Sequence, residues 1–413
     1  MHKNRKEVAH MRLYKMELCK LCCRKSVAAG FLIVLFLEIF FFYHTVITQS
    51  CTIDGITYYA LDAVRMDRQI TEEFRGELTD EKVSRIIEKY GFPQGIPEGE
   101  YDRLPGNFLN TFVMDYLSDG YINSADDYQI AAKTFPLAET ALGQSYAAAG
   151  MKPYLAYYYG WTAFLDEFGL LMLDVSMLIL YTVSVVFAEE KQAGTKALLF
   201  TTKEGPAADA LSKIAAAFSI SLLLWFFFVT FHLLLYTAVY GADGLHCICT
   251  LVVQWRGFAE LSILQQSVGA YLAGTLFISF LGTLELCAVT ICVSAWCRSC
   301  FHAIVGAGVC YVLPFFSFML FQSGVALMTY CSVHHPLNDI SFHLCWFLLN
   351  LLRGITYASP VFLMVNHDAL LELGRITVIG GMKNVCLPAA IACALFLFCT
   401  AAAWRGYRKV SRS

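Results

Sequence analysis

One run of 23 residues, 27–49, constrains this chain more than any other feature. It is almost wholly apolar and carries basic residues on one side only. At ~1.5 Å per residue it makes a helix about 35 Å long, enough for a hydrocarbon core of ~30 Å. Lys3, Arg5, Lys6, Arg12, Lys15, Lys20, Arg24 and Lys25 precede it against Glu7 and Glu17, and no Lys or Arg occurs from Ser26 to Val64. The positive-inside rule therefore places residues 1–26 in the cytoplasm. A cleaved signal peptide fits poorly, because the run exceeds an h-region of roughly 7–15 residues and no A-x-A-like site follows it.

Five further runs qualify as spans: 168–188, 215–240, 268–296, 303–328 and 385–404. Only 15% of the chain is charged, against about 25% in soluble domains. Six spans return the tail, 405–413, to the cytoplasm, where Arg405, Arg408, Lys409 and Arg412 belong. A seventh candidate, 341–365, has Arg353 at its middle, and a central Arg costs roughly 2.5–3.5 kcal/mol on insertion. Residues 329–384 are therefore predicted as an outer segment whose short helices lie at the interface or dip back. The outer loop 241–267 holds a shorter apolar piece, 245–255, of the same kind, and 297–302 is a cytoplasmic turn. The expected fold is an all-α polytopic membrane protein in the plasma membrane. It has six transmembrane helices and a mainly helical extracytoplasmic domain between helices 1 and 2.

That domain, 50–167, contains 19 acidic and nine basic residues. Thr79 or Asp80 reads as the N-cap of a helix with Val83, Ile86, Ile87 and Tyr90 on one face, closed by Gly91 and Pro93. Further helices are expected over 62–74 and 107–117. Its one cysteine, Cys51, excludes an internal disulfide. Cys19, Cys22 and Cys23, and the pair Cys297/Cys300, have metal-like spacings but no second pair, so no metal is expected. Nor is a nucleic-acid partner; membrane lipid is.

Residues 189–214 form the longest charged loop between spans on the cytoplasmic side, with Lys191, Lys196, Lys203 and Lys213 balancing Glu189, Glu190, Glu204 and Asp209. Gly194 should end a helix and Gly205-Pro206 begin another, leaving a short helix between two turns. The plain reading is a solvated connector. The order Phe187-x-x-Glu190-x-x-x-Gly194-Thr195, Leu199-x-Thr201-Thr202-Lys203-x-Gly205 and Lys213 before a span resembles the permease subunits of the type-2 class of ABC exporters. Ser267, Ser294-Ala-Trp-Cys-Arg298-Ser-Cys-Phe301 and Pro314 extend the resemblance, which covers most of 168–328. A bacterial branch of that class also has a large outer domain between its first two spans.

The resemblance implies that the loop is a coupling helix docking on a separate ABC ATPase subunit. Glu190, Gly194 and Thr195 would open it, and Thr201, Thr202, Lys203 and Gly205 would form its contact end; Pro206 replaces the Arg common in relatives. It also implies a second permease copy or paralogue, with ATP and Mg bound by the ATPase. That division agrees with the sequence, which contains no G-x-x-x-x-G-K-[ST] phosphate loop.

Glu38, Asp174 and Glu285 fall inside spans. Such acids usually face a bundle interior or cavity, so they either line a path for a cationic or polar substrate or make interhelical hydrogen bonds. Two other functions stay open. A membrane-bound peptide sensor or immunity protein would use the outer domain without transport. An intramembrane protease is more remote: Glu189-Glu190 resembles a prenyl-protease-like pair, but Gly194 replaces its Arg and no H-E-x-x-H is present.

Overall fold

The computed structural model describes residues 2–91, 106–117, 119–122, 128–131, 136–195, 205–253, 265–334, 339–357, 359–365 and 386–409. Among the described residues, six helices are long and apolar enough to cross a membrane: Lys25–Ile47, Tyr159–Gln192, Pro206–Tyr240, Val268–Trp296, Cys300–Met328 and Ala389–Tyr407. They are the six runs expected, and the chain is an all-α polytopic membrane protein in its architecture.

A polar helix α1 (His2–Cys22) precedes α2 (Lys25–Ile47), the first span. The second, α7 (Tyr159–Ser184), is packed against α2 and against the third, fourth and fifth spans. Two-thirds of its most apolar stretch is buried (67%), against 17% for α2, so α2 presents most of its apolar surface outward. The third span, α9 (Gly205–Tyr240), has 36 residues and is therefore about 54 Å long. It starts ten residues before the predicted 215, and α7 starts nine before the predicted 168. In α7 the added turns bury Trp161 and Phe164, whose apolar area supports the helix beyond the hydrocarbon run.

α10 (Val268–Trp296) and α11 (Cys300–His334) are the fourth and fifth spans. The 341–365 stretch forms α12 (Asp339–Tyr357), lying on α11, and α13 (Pro360–Val365). Pro360 to Met364 are buried, and a Cβ on Gly282, halfway along α10, would come within 2.7 Å of Met364 Cγ. So α13 packs at the middle of α10 through an approach that glycine permits. The last span is α14 (Cys386–Lys409), whose main partner is α10.

Between α2 and α7 the chain folds as a hairpin of β1 (Ser50–Ile53) and β2 (Ile56–Tyr59), then α3 (Ala60–Glu72), the two-residue β3 (Gly76–Glu77), α4 (Asp80–Tyr90) and α5 (Phe108–Phe112). The strand pair β4 (Asp119–Ile122) and β5 (Tyr128–Ala131) and the helix α6 (Ala141–Ala148) follow, and β6 (Tyr154–Leu155) pairs with β3. The expected cap is present: Thr79 Oγ1 accepts from Lys82 N at 3.3 Å. Asn107 caps α5 in the same way, but the predicted 107–117 helix switches to a π-turn over Val113–Leu117. The β1–β2 hairpin was not expected, although Asp54-Gly55, with φ of 50° and 80°, is a type I′ turn signal.

This segment is held to the spans through the 241–253 loop. Arg75 pairs with Asp243 at 3.0 Å, Trp161 Nε1 donates to Asp243 O at 2.7 Å, and Tyr116 OH donates to Leu251 O at 3.1 Å. Cys247, Ile248, Cys249 and Leu251 to Val253 are buried beneath it, so the apolar piece predicted at 245–255 is a packed connector as far as Val253; Trp255 lies outside the described residues.

Candidate functional site

At the end of the bundle carrying α1 and the last turn of α14, α7 passes through a turn into α8 (Ala188–Gln192). Gly194 ends α8 as the sequence required. Its φ is +68°, Gly194 N donates to Lys191 O and Thr195 N to Glu190 O, which is a Schellman closure. Gly205 opens α9, with Pro206 at the first turn where a missing N–H is harmless. Thr201, Thr202 and Lys203, and the short helix expected between Gly194 and Gly205, lie outside the described residues.

Around α8 the chain is tied to two helix ends, that of α10 and the start of α11. Ser294 Oγ accepts from Phe187 N at 3.0 Å and from Ala188 N at 3.3 Å. Lys191 Nζ donates to Ala295 O, and to Cys297 O at 3.1 Å, satisfying the free carbonyls at the end of α10. Gln192 Oε1 accepts from Cys300 N at 2.8 Å, the first residue of α11. The two segments that carried the family resemblance, 187–195 and 294–301, therefore meet in space.

On the other side of α8 lies a buried charge node. Glu190 is 7% exposed and Lys213 is fully buried (0%). Lys213 Nζ lies 3.3 Å from Glu17 Oε1 and 2.9 Å from Glu190 Oε1, and it donates to Asp209 Oδ1. Of the three N–H donors of an ammonium, hydrogen bonds run to Glu17 and Asp209, and Glu190 adds a third counter-charge as an ion pair. Tyr407 OH bonds Asp209 Oδ2 at 2.7 Å and Glu190 Oε2 at 3.1 Å, while its ring lies 4.7 Å from that of Phe187. Lys20 approaches Glu189 and Glu190 at 3.5 and 3.6 Å, and Arg24 pairs with Glu189. Glu17, Glu190 and Asp209 present oxygens within 4.8 Å of one another, as a cation site would, but the lysine ammonium already fills that role.

Glu190 is therefore turned inward rather than toward a partner, while Gly194 and Thr195 are exposed. Sequence reasoning singled out Glu190 and noted Lys213 but passed over Glu17, Lys20, Arg24, Asp209 and Tyr407. The available signal was the pair Asp209 and Lys213, four residues apart on an otherwise apolar helix start.

The three acids inside spans do not share one arrangement. Glu38 Oε1 is 2.6 Å from His232 Nδ1, and His232 Nε2 is 3.1 Å from the Phe164 carbonyl oxygen. A carbonyl only accepts, so Nε2 carries a hydrogen. The proton between Nδ1 and Glu38 is then shared by the pair, which is net neutral whichever atom holds it. Phe164 and Tyr236 close around the imidazole, with ring centroids at 4.4 and 4.6 Å. Asp174, half-buried, lies near enough to Glu38 for their charges to interact. Glu285 is 0% exposed, and neither of its oxygens has a hydrogen-bond partner among the described residues. His232 was missed because a lone histidine in an apolar run gives no periodic signal.

Comparison of the chain with known protein families, with curated proteins and with solved structures finds no match.

Proposed function

We propose that the chain is the membrane-spanning permease subunit of an ATP-driven ABC exporter of the type-2 class. Two permease chains, either copies of this one or this one with a relative, pack around a path across the plasma membrane. Two separate ATPase subunits bind ATP and Mg and dock on the 189–213 loop. Both termini then face the cytoplasm, and the 50–158 segment stands outside.

The observation that carries this reading is the anchoring of α8. A short helix fixed to the ends of α7, α9, α10, α11 and α14 is where an outside push would reach most of the bundle at once. Rigid anchorage matters, because a loop with slack absorbs displacement instead of passing it on. ATP-driven closure of the ATPase subunits displaces the loop and shifts the spans between inward-open and outward-open arrangements. Glu190 and Lys213 hold the element from within, while exposed Gly194 and Thr195 border the part that docks.

Affinity purification of the intact complex tests the proposal. The expected outcome is co-purification of an ABC ATPase whose hydrolysis depends on this chain and is lost when 194–205 is deleted. Purification without any ATPase, or ATP-linked transport that survives the deletion, would sink it.

A further inference from the structure

α1 attaches to the other helices at this end of the molecule through a narrow apolar stripe, with Leu21 buried and Tyr14 and Leu18 packed partly buried against the core. Of its described side chains only Leu21 and Glu17 are buried, while Met11, Arg12, Lys15 and Met16 are exposed. Its other attachments are polar and specific. Tyr14 OH donates to Ser219 Oγ at 2.8 Å, Glu17 meets Lys213, and Lys20 bridges to Glu189 and Glu190. Arg24, in the connection to α2, pairs with Glu189.

Lys213 thus reaches α1 and α8 from the start of α9, and Tyr407 extends the same contacts to α14. The ammonium is out of water, and its three partners come from different segments. Moving α8 or α1 away from α9 would strip it of a carboxylate and leave charge buried without a counter-charge. The segments therefore stay together, or separate together with entry of water.

We infer that Lys213 is a positioning residue that makes α1, α8 and the last turn of α14 move as one body, with α1 a strap rather than a free N-terminal arm. The clamp itself is independent of the transporter reading. Its use, in which a push on the 189–213 loop carries the strap along, rests on that reading.

Hydrogen exchange of the full-length protein in lipid nanodiscs, without any ATPase, tests the clamp alone. Lys213→Gln is expected to raise exchange about tenfold or more, together, in residues 12–22, 188–195 and 403–409. Exchange in α6, remote from the node, should not change. Lys213→Arg, which keeps the cation and its donors, should restore much of the joint protection. Because Lys213→Gln could simply weaken the fold, Tyr14→Phe serves as a second variant: it loosens α1 without touching the node, and should raise exchange in 12–22 only. Loosening of α1 alone by Lys213→Gln, equal behaviour of the Gln and Arg variants, or spread of the Tyr14→Phe effect to 188–195 would each overturn the inference. Loss of ATP-linked transport plays no part in this readout, so failure of the transporter proposal would leave the result standing.

Discussion

Lys213 and Glu285 are both fully buried, and their surroundings are opposite. Lys213 is surrounded by three carboxylates from different parts of the chain, whereas neither oxygen of Glu285 has a hydrogen-bond partner among the described residues. Glu285 sits one turn beyond Gly282, where α13 presses on α10. A saturated node is architecture: its members were placed to satisfy one another. An unsatisfied carboxyl weakens the fold it sits in, so its retention calls for a reason outside stability. Of the three acids expected inside spans, Glu285 is thus buried without a hydrogen bond among the described residues, whereas His232 occupies Glu38.

The largest predicted effect separates these two sites. Lys213→Met leaves three carboxylates facing one another and should cost about 3–5 kcal/mol. Glu285→Leu removes an unsatisfied group and should be neutral or stabilising, by up to about 1–3 kcal/mol. Thermal unfolding of both variants in one detergent compares them directly, and equal destabilisation would end the contrast between the two sites. If Glu285 serves transport, the leucine variant will be the more stable protein and the poorer exporter.

Asp67, in the segment between α2 and α7, stands between those extremes and adds a pH dependence. Its carboxylate accepts from Phe108 N at 2.9 Å and from the Cys51 thiol, yet burial outweighs both and pushes its pKa up from 3.8 to about 6. The native state then holds the proton more tightly than the unfolded chain. Its contribution is fully favourable below about pH 4, is lost as pH rises from about 4 to 6, and is level above that. The loss is roughly 3 kcal/mol at 1.36 kcal/mol per unit. Asp67→Asn should flatten that part of the profile, measured as unfolding midpoints at pH 4.5 and 7. An unchanged slope in the variant would assign the pH dependence to other groups.

How far the sequence could be read follows the same physics. Spans were legible because hydropathy accumulates over some twenty residues, so all six runs were found while the starts of α7 and α9 were set nine and ten residues late. The Thr79 cap and the Gly194 closure were legible because each is a local rule. The Lys213 node was not, since Glu17, Glu190, Asp209 and Tyr407 come together only through packing of four helices. Membership of such a node follows from three-dimensional neighbours, and neither periodicity nor spacing reports them. The β1–β2 hairpin is a different kind of miss: Asp54-Gly55 announced it, and the helical pattern of 62–90 drew attention away.

The smallest predicted effect concerns Glu38 and His232, and it asks whether a neutral buried pair behaves like the charged node. The two members are not equivalent. His232 satisfies Phe164 O through Nε2 as well as Glu38 through Nδ1. Losing Glu38 leaves a neutral imidazole that can keep its hydrogen on Nε2 and still serve the carbonyl. Losing His232 leaves a carboxyl among aromatic rings without its partner, while the Phe164 carbonyl keeps its N–H within the helix. His232→Phe should therefore cost more than Glu38→Leu, and the double variant should cost less than the sum by about 1–2 kcal/mol. Unfolding of the two single variants and the double in the same detergent measures that coupling. A coupling near zero would mean that the 2.6 Å contact contributes nothing.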